Sequence, residues 1–448
     1  MITYQDFLKE TNKERFIQNA VSEHKSTSLY TTALDANYYD KQKNTTIRNY
    51  VKTIIGNGGR RMIDITATNS QLCSNFFRRL NTQRNMYSLG NGISFGKDGI
   101  KKKLGNKIDT RLQDAAYKAL IHGVSFLFWN IDKVEVFPIT EFCPLYDEET
   151  GALRAGIRFW QIDSTKPIFY TLFEEDGYTK YRSDSSQMSV IETKRAYQRT
   201  IRSSRVSGDE LVNESNYDGF PVVPLYGSKL KQSTLVGMKQ KIDSYDLISS
   251  GFANDLTDCS QIYWIVSNAG GMTEKELSQF RQRLLFQHIA TVDGDDGVEI
   301  KPYTQEIPFQ SRTAYLALLR NQIYDDFGAF DCSSISAAAK TATEINAAYQ
   351  PMDENADDFE YQIISAVEKL LALQGVTGDD AVAMFKRNRI ANQTEQTQMV
   401  MTAASVLDEQ SILEHLPFLT PEEVQALMER KAKTELDIAM PEDEETEE

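Results

Sequence analysis

Ile242-Asp243-Ser244-Tyr245-Asp246-Leu247-Ile248-Ser249-Ser250-Gly251-Phe252-Ala253-Asn254-Asp255-Leu256 decides the fold of this chain. Within and around it, Met238, Ile242, Tyr245, Ile248, Phe252, Leu256 and Cys259 recur in steps of three and four, one face of an α-helix. At ~1.5 Å per residue that helix is roughly 30 Å long. Lys239, Asp243, Asp246, Asn254 and Asp258 occupy the opposite face. Gly251 interrupts it at a cost of ~1 kcal/mol against alanine.

A second helix is expected from Ser311, an N-cap candidate after Pro308, with Tyr315, Leu318, Leu319, Gln322, Ile323 and Phe327 on its apolar side and Gly328 at its end. Taken alone, either helix suits an ordinary core. Between them, Ile262-Tyr263-Trp264-Ile265-Val266 is aromatic and β-branched and reads as a strand. Thr273 with Glu276 forms a capping box for a helix over 274–287, and strands near 289–292 and 298–303 follow. This is a small αβ insert between two antiparallel helices. Next comes Ser333-Ser334-Ile335-Ser336-Ala337-Ala338-Ala339-Lys340-Thr341-Ala342-Thr343, small residues with Lys340 as the single charge. A third helix runs over about 343–374 with Ile345, Tyr349, Met352, Phe359, Ile363, Val367, Leu370 and Leu371 inward. Pro351 lies inside it and predicts a kink, and Gly375 ends it.

The chain at this point resembles the portal proteins of tailed bacteriophages, in the branch of long-tailed phages of Gram-positive hosts. The stretch quoted first matches that family's helix signature, D-x-Y-[ND]-x-x-x-S-x-x-[AS]-N-D. The order of insert, helix, small-residue loop, proline-bearing helix and polar C-terminal region matches as well. The resemblance covers roughly Leu72 to Gln374. The segment after Gly375 is short, which implies a small crown.

The rest of the chain is compatible. It has 448 residues, enough for two or three domains, with 25% charged and 41% hydrophobic residues. No apolar run approaches the ~20 residues a membrane helix needs, and residues 1–15 lack the apolar core of a signal peptide. Cys73, Cys143, Cys259 and Cys332 lack metal-ligand spacing and read as reduced thiols. The net charge of −15 argues against tight phosphate binding, which needs clustered Lys and Arg, but suits a wall that lets DNA slide. Glu442, Asp443, Glu444, Glu445, Glu447 and Glu448 form an acidic, solvated tail.

Short helices are expected over 2–21 and 41–55 with irregular chain over 25–40, and further helices over 62–87 and 106–122. Strands are expected at 124–129, 134–137, 153–161, 168–173 and 178–182, with a polar loop over 201–218. Helical segments at 394–407 and 421–436 close the chain.

Catalytic patterns are missing. Gly56-Asn57-Gly58-Gly59-Arg60-Arg61 lacks the Lys-Ser/Thr end of a phosphate loop. His24, His122, His288 and His415 share no ligand spacing, and Asp293–Gly297 lacks the ligands of an EF-hand. No catalytic residue, metal or cofactor is expected.

The fold class is therefore α+β, mainly α. The resemblance implies a wing over 1–232, a first stem helix over 233–261, a clip over 262–308 and a second stem helix over 309–331. It implies a tunnel loop over 332–343, a kinked helix over 344–374, and a crown with acidic tail over 375–448. It further implies a homo-oligomeric ring, a dodecamer, at one capsid vertex of the virion, made in the host cytoplasm and carrying double-stranded DNA. The terminase large subunit, head–tail adaptor, major capsid and scaffold proteins would be its partners. Ser333, Ser334, Ser336, Lys340 and Thr341 would face DNA, and Lys229, Lys231, Lys239 and Lys241 form a second basic cluster. That cluster would meet either DNA or a neighbour's acids. In the clip, Trp264, Glu274, Arg281, Asp295 and Asp296 would dock terminase and adaptor. Two other classes fit less of the chain: a minor capsid or adaptor component without a DNA channel, and a soluble enzyme.

Overall fold

The computed structural model describes residues 2–431 apart from 56–58, 64–67, 98, 185–186, 204–209, 260–262, 267–272, 274, 277, 280–299, 304–307, 332–341, 390–392, 405, 407, 417–423, 425–426 and 429. Three capped helices open the chain: α1 (Tyr4–Lys9), α2 (Lys13–Ser26) and α3 (Ser28–Asp40). Thr3, Asn12 and Thr27 each accept a first-turn backbone N–H, which satisfies a donor the helix leaves open. Residues 28–40 are thus helical where irregular chain was expected. The Thr27 cap and the buried Tyr30, Ala33, Ala36 and Tyr39 at three-residue steps outweigh the polar composition.

The helix expected over 41–55 shrinks to the single turn α4 (Thr45–Arg48), followed by a hairpin of β1 (Thr53–Ile55) and β2 (Arg61–Ile63). The helix expected from Met62 begins only at Phe76, as α5 (Phe76–Leu89), so residues 68–75 carry neither helix nor strand. After β3 (Ile93–Ser94) and α6 (Ile100–Lys103), α7 (Ile108–His122) ends on Gly123. Gly123 has φ +90°, and a Cβ there would meet the backbone of Gln232 at 2.7 Å, so glycine alone fits this turn.

The strands β4 (Val124–Asn130), β5 (Lys133–Pro138), β6 (Phe142–Tyr146), β7 (Leu153–Trp160), β8 (Ile168–Glu174), β9 (Gly177–Asp184), β10 (Gln187–Arg195), β11 (Gln198–Ser203), β12 (Glu210–Ser215) and β13 (Val222–Tyr226) follow. β6 to β10 form a five-stranded antiparallel sheet in sequence order, and β13-β4-β5 a three-stranded one. β11 and β12 pair in register from Gln198↔Ser215 to Ser203↔Glu210, where a loop was expected over 201–218. Phe16, Ile17, Ala20 and Val21 of α2 pack on Leu145, Ile157, Tyr170 and Leu172 of the larger sheet. Phe126, Phe137, Phe142 and Phe173 join the two sheets.

The remaining elements are α8 (Lys239–Cys259), the pair β14 (Tyr263–Val266) and β15 (Ile300–Tyr303), α9 (Phe309–Phe327), α10 (Ala342–Ala372), β16 (Met384–Phe385), α11 (Gln393–Ala403) and α12 (Glu409–His415). α9 starts at Phe309, with Pro308 rather than Ser311 as its cap position, and ends on Gly328 at φ +61°. α10 continues through Pro351 and buries Phe359, Ile363, Val367, Leu370 and Leu371 against α7 and the three-stranded sheet. The architecture is mixed α+β. No helix among the described residues is long and apolar enough to cross a membrane.

His122 at the end of α7 is buried, with Nε2 2.9 Å from Asn37 Oδ1. Burial pulls its pKa from 6.5 down to about 4. The unfolded chain therefore takes up a proton at pH values where the folded chain refuses it. This group's contribution is whole above 6.5 and declines as pH falls toward about 4, by roughly 3 kcal/mol in all. Burial also lowers the pKa of His24, which adds a pH dependence of the same sign. Urea denaturation from about pH 7 to about pH 4 should show a flatter stability profile for His122→Gln than for the wild type.

Candidate functional site

α8 and α9 lie side by side and antiparallel. Lys241 pairs with Asp326 and Asp255 with Arg312. The partners advance fourteen residues on one helix and retreat fourteen on the other, so the two bonds sit ~21 Å apart along the pair. Near the outer bond, the Phe252 and Phe309 rings stand 5.6 Å apart and the Arg312 guanidinium lies 5.9 Å from the Phe252 ring. The inner end is rooted in a core of Met238, Ile242, Ile323, Tyr324 and Phe327 with Phe77 and Leu80 of α5. Toward the outer end, Leu247, Leu256, Phe309, Tyr315 and Leu318 are each at least 45% exposed. Tyr315 and Leu318 were expected on an inward face; this chain leaves them uncovered.

Part of the polar face of α8 is turned away from solvent. Asp246, Ser250 and Asn254 are all buried. Ser74 N–H donates to Asp246 Oδ1 at 2.9 Å, Leu72 N–H to Ser250 Oγ at 2.9 Å, and Ser70 N–H to Asn254 Oδ1 at 2.7 Å. Every fourth helical residue thus serves every second residue of the 70–74 segment. The spacing works because four helical residues rise ~6 Å and two extended residues ~6.6 Å. Asn44 Nδ2 donates to Asp246 Oδ2 at 2.8 Å, and Thr46 Oγ1 to Asp243 Oδ2 at 2.9 Å. Tyr39 OH also donates to Asp243. Burial pushes the Asp246 carboxyl up, against the bonds from Asn44 and Ser74 that favour its charge. The Asp, Ser and Asn positions of the helix signature are this ladder; sequence reasoning set Asp246 and Asn254 only on the face opposite the apolar stripe.

The second basic cluster divides. Lys239 Nζ lies 3.2 Å from Asp243 and 3.0 Å from both Tyr39 OH and Thr46 Oγ1, and Lys241 pairs with Asp326, all within one chain. Lys229 and Lys231 stay exposed: Lys229 Nζ is 3.9 Å from Asp358, and Lys231 Nζ is 4.6 Å from the Tyr226 ring. Ser333, Ser334, Ser336, Lys340 and Thr341 lie outside the described residues, as do Glu274, Arg281, Asp295 and Asp296. Trp264 lies in β14, opposite Pro302 of β15.

Both flanks of the small-residue segment are anchored. Phe330 before it stacks on Tyr349 after it at 4.3 Å and 6°, and Tyr349 stacks on Tyr87 of α5 at 5.8 Å and 11°. Arg84 donates to Phe327 O at 2.7 Å and Gln83 to Phe330 O at 2.8 Å. Tyr87 OH donates to Asp353 at 2.6 Å, and burial pushes its pKa up to about 12. Arg387 binds Asp353, Asp357 and Glu360, which ties the chain after β16 onto α10. Their carboxylates hold the guanidinium well above its usual pKa. The described residues hold no group of three or more His, Cys, Asp or Glu placed for a metal ion. Cys143 is a buried free thiol whose pKa burial pushes up to about 12, and Cys73 is a half-buried free thiol.

The α8–α9 pair is thus rooted at one end in the α+β body, and the residues flanking 332–341 are held against α5. The model of the family "Phage portal protein, SPP1 Gp6-like" matches residues 18–436, and the chain belongs to that family. It is 22% identical over 378 residues to the portal protein of Clostridium phage phiCD119, covering 78% of this chain and 82% of that one. It is likewise 22% identical over 416 residues to the portal protein of Bacillus phage SPP1, covering 85% of this chain and 80% of that one.

Asp246→Ala removes the acceptor of two buried donors and should destabilise the fold by about 3 kcal/mol. Ser250→Ala, which orphans one, should cost about 1 kcal/mol. Urea denaturation measures both, and a wild-type midpoint for Asp246→Ala would refute the ladder's importance.

Proposed function

We propose that this chain is the portal subunit of a tailed phage, a virion component that assembles into a ring of twelve around a channel for double-stranded DNA. The observation that carries this reading is the α8–α9 pair, within a chain of the portal family. Its pairing charges bind within the chain, while Leu247, Leu256, Phe309, Tyr315 and Leu318 remain open along the outer pair. Exposed apolar side chains beside internally neutralised charges suit head-to-tail contact with identical neighbours, and such contacts close into a ring when their rotation allows.

In this reading residues 1–232 are the wing, 233–261 and 309–331 the stem, and 262–308 the clip. Residues 332–343 are the tunnel loop, 344–374 the wing helix behind it, and 375–448 the crown with its acidic tail. The stacked Phe330, Tyr349 and Tyr87 support the loop assignment, since they fix both loop ends against α5. Small side chains let many copies crowd a duplex, and Lys340 supplies one cation per subunit. Ser333, Ser334, Ser336 and Thr341 line the same loop. Of the second basic cluster, Lys229 and Lys231 keep exposed ammonium groups for phosphate contact. The clip residues Trp264, Glu274, Arg281, Asp295 and Asp296 serve the terminase large subunit during packaging and the head–tail adaptor afterwards. Major capsid and scaffold proteins meet the wing as the ring is built into one vertex in the host cytoplasm. The mechanism is mechanical and electrostatic, with weak phosphate contacts that let DNA pass both ways.

End-on electron micrographs of the purified protein should show rings with a central hole; a chain that stays monomeric at every concentration would overturn the proposal. Lys340→Ala should assemble normally yet alter DNA packaging or retention in the head. Wild-type retention in that variant would remove Lys340 from the DNA path.

A further inference from the structure

A cleft of about 430 Å³ opens where the two sheets meet β11. Its floor is aromatic: Phe128, Phe173 and Tyr197 are buried, with the last two rings parallel within 1°. Tyr178 and Tyr217 form half-buried walls, and Lys180, Arg195 and Arg199 form an exposed cationic rim. Glu192 occupies Lys180 at 2.8 Å and Arg195 at 2.6 Å. Arg199 stands 3.6 Å from Glu214, and Arg158 stands 3.7 Å from Glu135, both beyond hydrogen-bond distance. Arg158 Nε is buried without a partner among the described residues. These two guanidinium groups therefore retain donor capacity toward the cleft.

Ile131 stands at the lip, 60% exposed, at φ +56°. A β-branched residue rarely adopts that conformation, and this first position of the β4–β5 turn favours glycine. The turn thus holds an apolar knob at the entrance. An occupant should carry apolar side chains for the floor next to carboxylates for the rim.

One stretch of the sequence has that pattern. Leu436-Asp437-Ile438-Ala439-Met440-Pro441-Glu442-Asp443-Glu444-Glu445 sets Ile438 and Met440 directly before a carboxylate run. Pro441 favours an extended chain at Met440. Apart from Leu436, the stretch lies beyond the 18–436 match to the portal family. We infer that the 436–448 segment of this protein docks in the cleft, with Ile438 and Met440 on the aromatic floor and the following carboxylates on Arg158 and Arg199.

The test compares the full chain with one ending at Glu435 by amide hydrogen exchange. Exchange at 130–133 and 195–199 should be at least about fivefold faster in the shortened chain, and a 436–448 peptide should restore protection. The same peptide, followed by fluorescence anisotropy, should bind at least about tenfold more weakly to Arg199→Glu, and its affinity should fall with salt. Full-length Arg199→Gln, which sets no second carboxylate opposite Glu214, should also show the faster exchange. Equal exchange in the full and shortened chains overturns the inference. So does a scrambled peptide of the same composition binding as tightly, since that marks a general anion site.

Discussion

The polar ladder between α8 and the 70–74 segment is the constraint on which the rest of the subunit depends. A helix face that accepts three backbone N–H groups at matched spacing fixes the rotation of α8 about its axis. With that rotation set, Ile242 turns into the core with Phe327, and Asp255 turns toward Arg312. The segment is fixed reciprocally, since 68–75 has no strand partner and its donors would otherwise be stranded. Asn44, Thr46 and Tyr39 extend the same network to α3 and α4 through Asp243 and Asp246. One helix face thus organises three separate parts of the chain.

That face was only half legible in the sequence. Apolar spacing locates α8, α9 and α10 to within a few residues, because a stripe at steps of three and four needs a covered face. The same logic only sets Asp243, Asp246 and Asn254 opposite that stripe, without saying what they meet. Their burial depends on a remote segment whose backbone has no other partner, and nothing local encodes that pairing. The signature residues were visible as a resemblance before they had a physical reason; the ladder supplies one. The helix over 28–40 was missed although its Thr27 cap and buried small and aromatic residues stand in the sequence. β6 was missed because Pro144 interrupts its run, and β10, β11 and β12 because their largely exposed residues set no buried face to alternate with.

Lysines on a helix expected to line a channel invite a reading as phosphate contacts. Lys239 and Lys241 instead meet Asp243 and Asp326 within the chain, which leaves them little attraction for an outside partner. Exposed pairs of this kind contribute little stability, of order 0–1 kcal/mol each, so their larger effect is on the surface left behind. With these charges neutralised internally, the exposed side chains toward the outer end of the pair include five large apolar ones. An acidic chain of net charge −15 would repel its own copies over a wide face. Pairing of Lys241 with Asp326 and of Asp255 with Arg312 lowers that repulsion where the proposed neighbours approach.

The same economy of charge appears at the root of the small-residue segment, where the problem is rigidity. Residues 333–343 are mostly serine and alanine, short side chains that contribute little packing of their own. Position must come from their ends, and both ends are fixed to one helix: Phe330 and Tyr349 stack toward Tyr87, and Arg84 and Gln83 cap the approaching carbonyls. Tyr87 carries a second duty, since its hydroxyl joins Asp353 and Arg389 and so couples α5 to α10 and to the chain beyond β16. In the proposed ring, a force on the loop would pass into α10 and the Arg387 cluster before reaching the wing sheets. Rigid roots would hold the flanks of the proposed tunnel loop in place against a moving duplex.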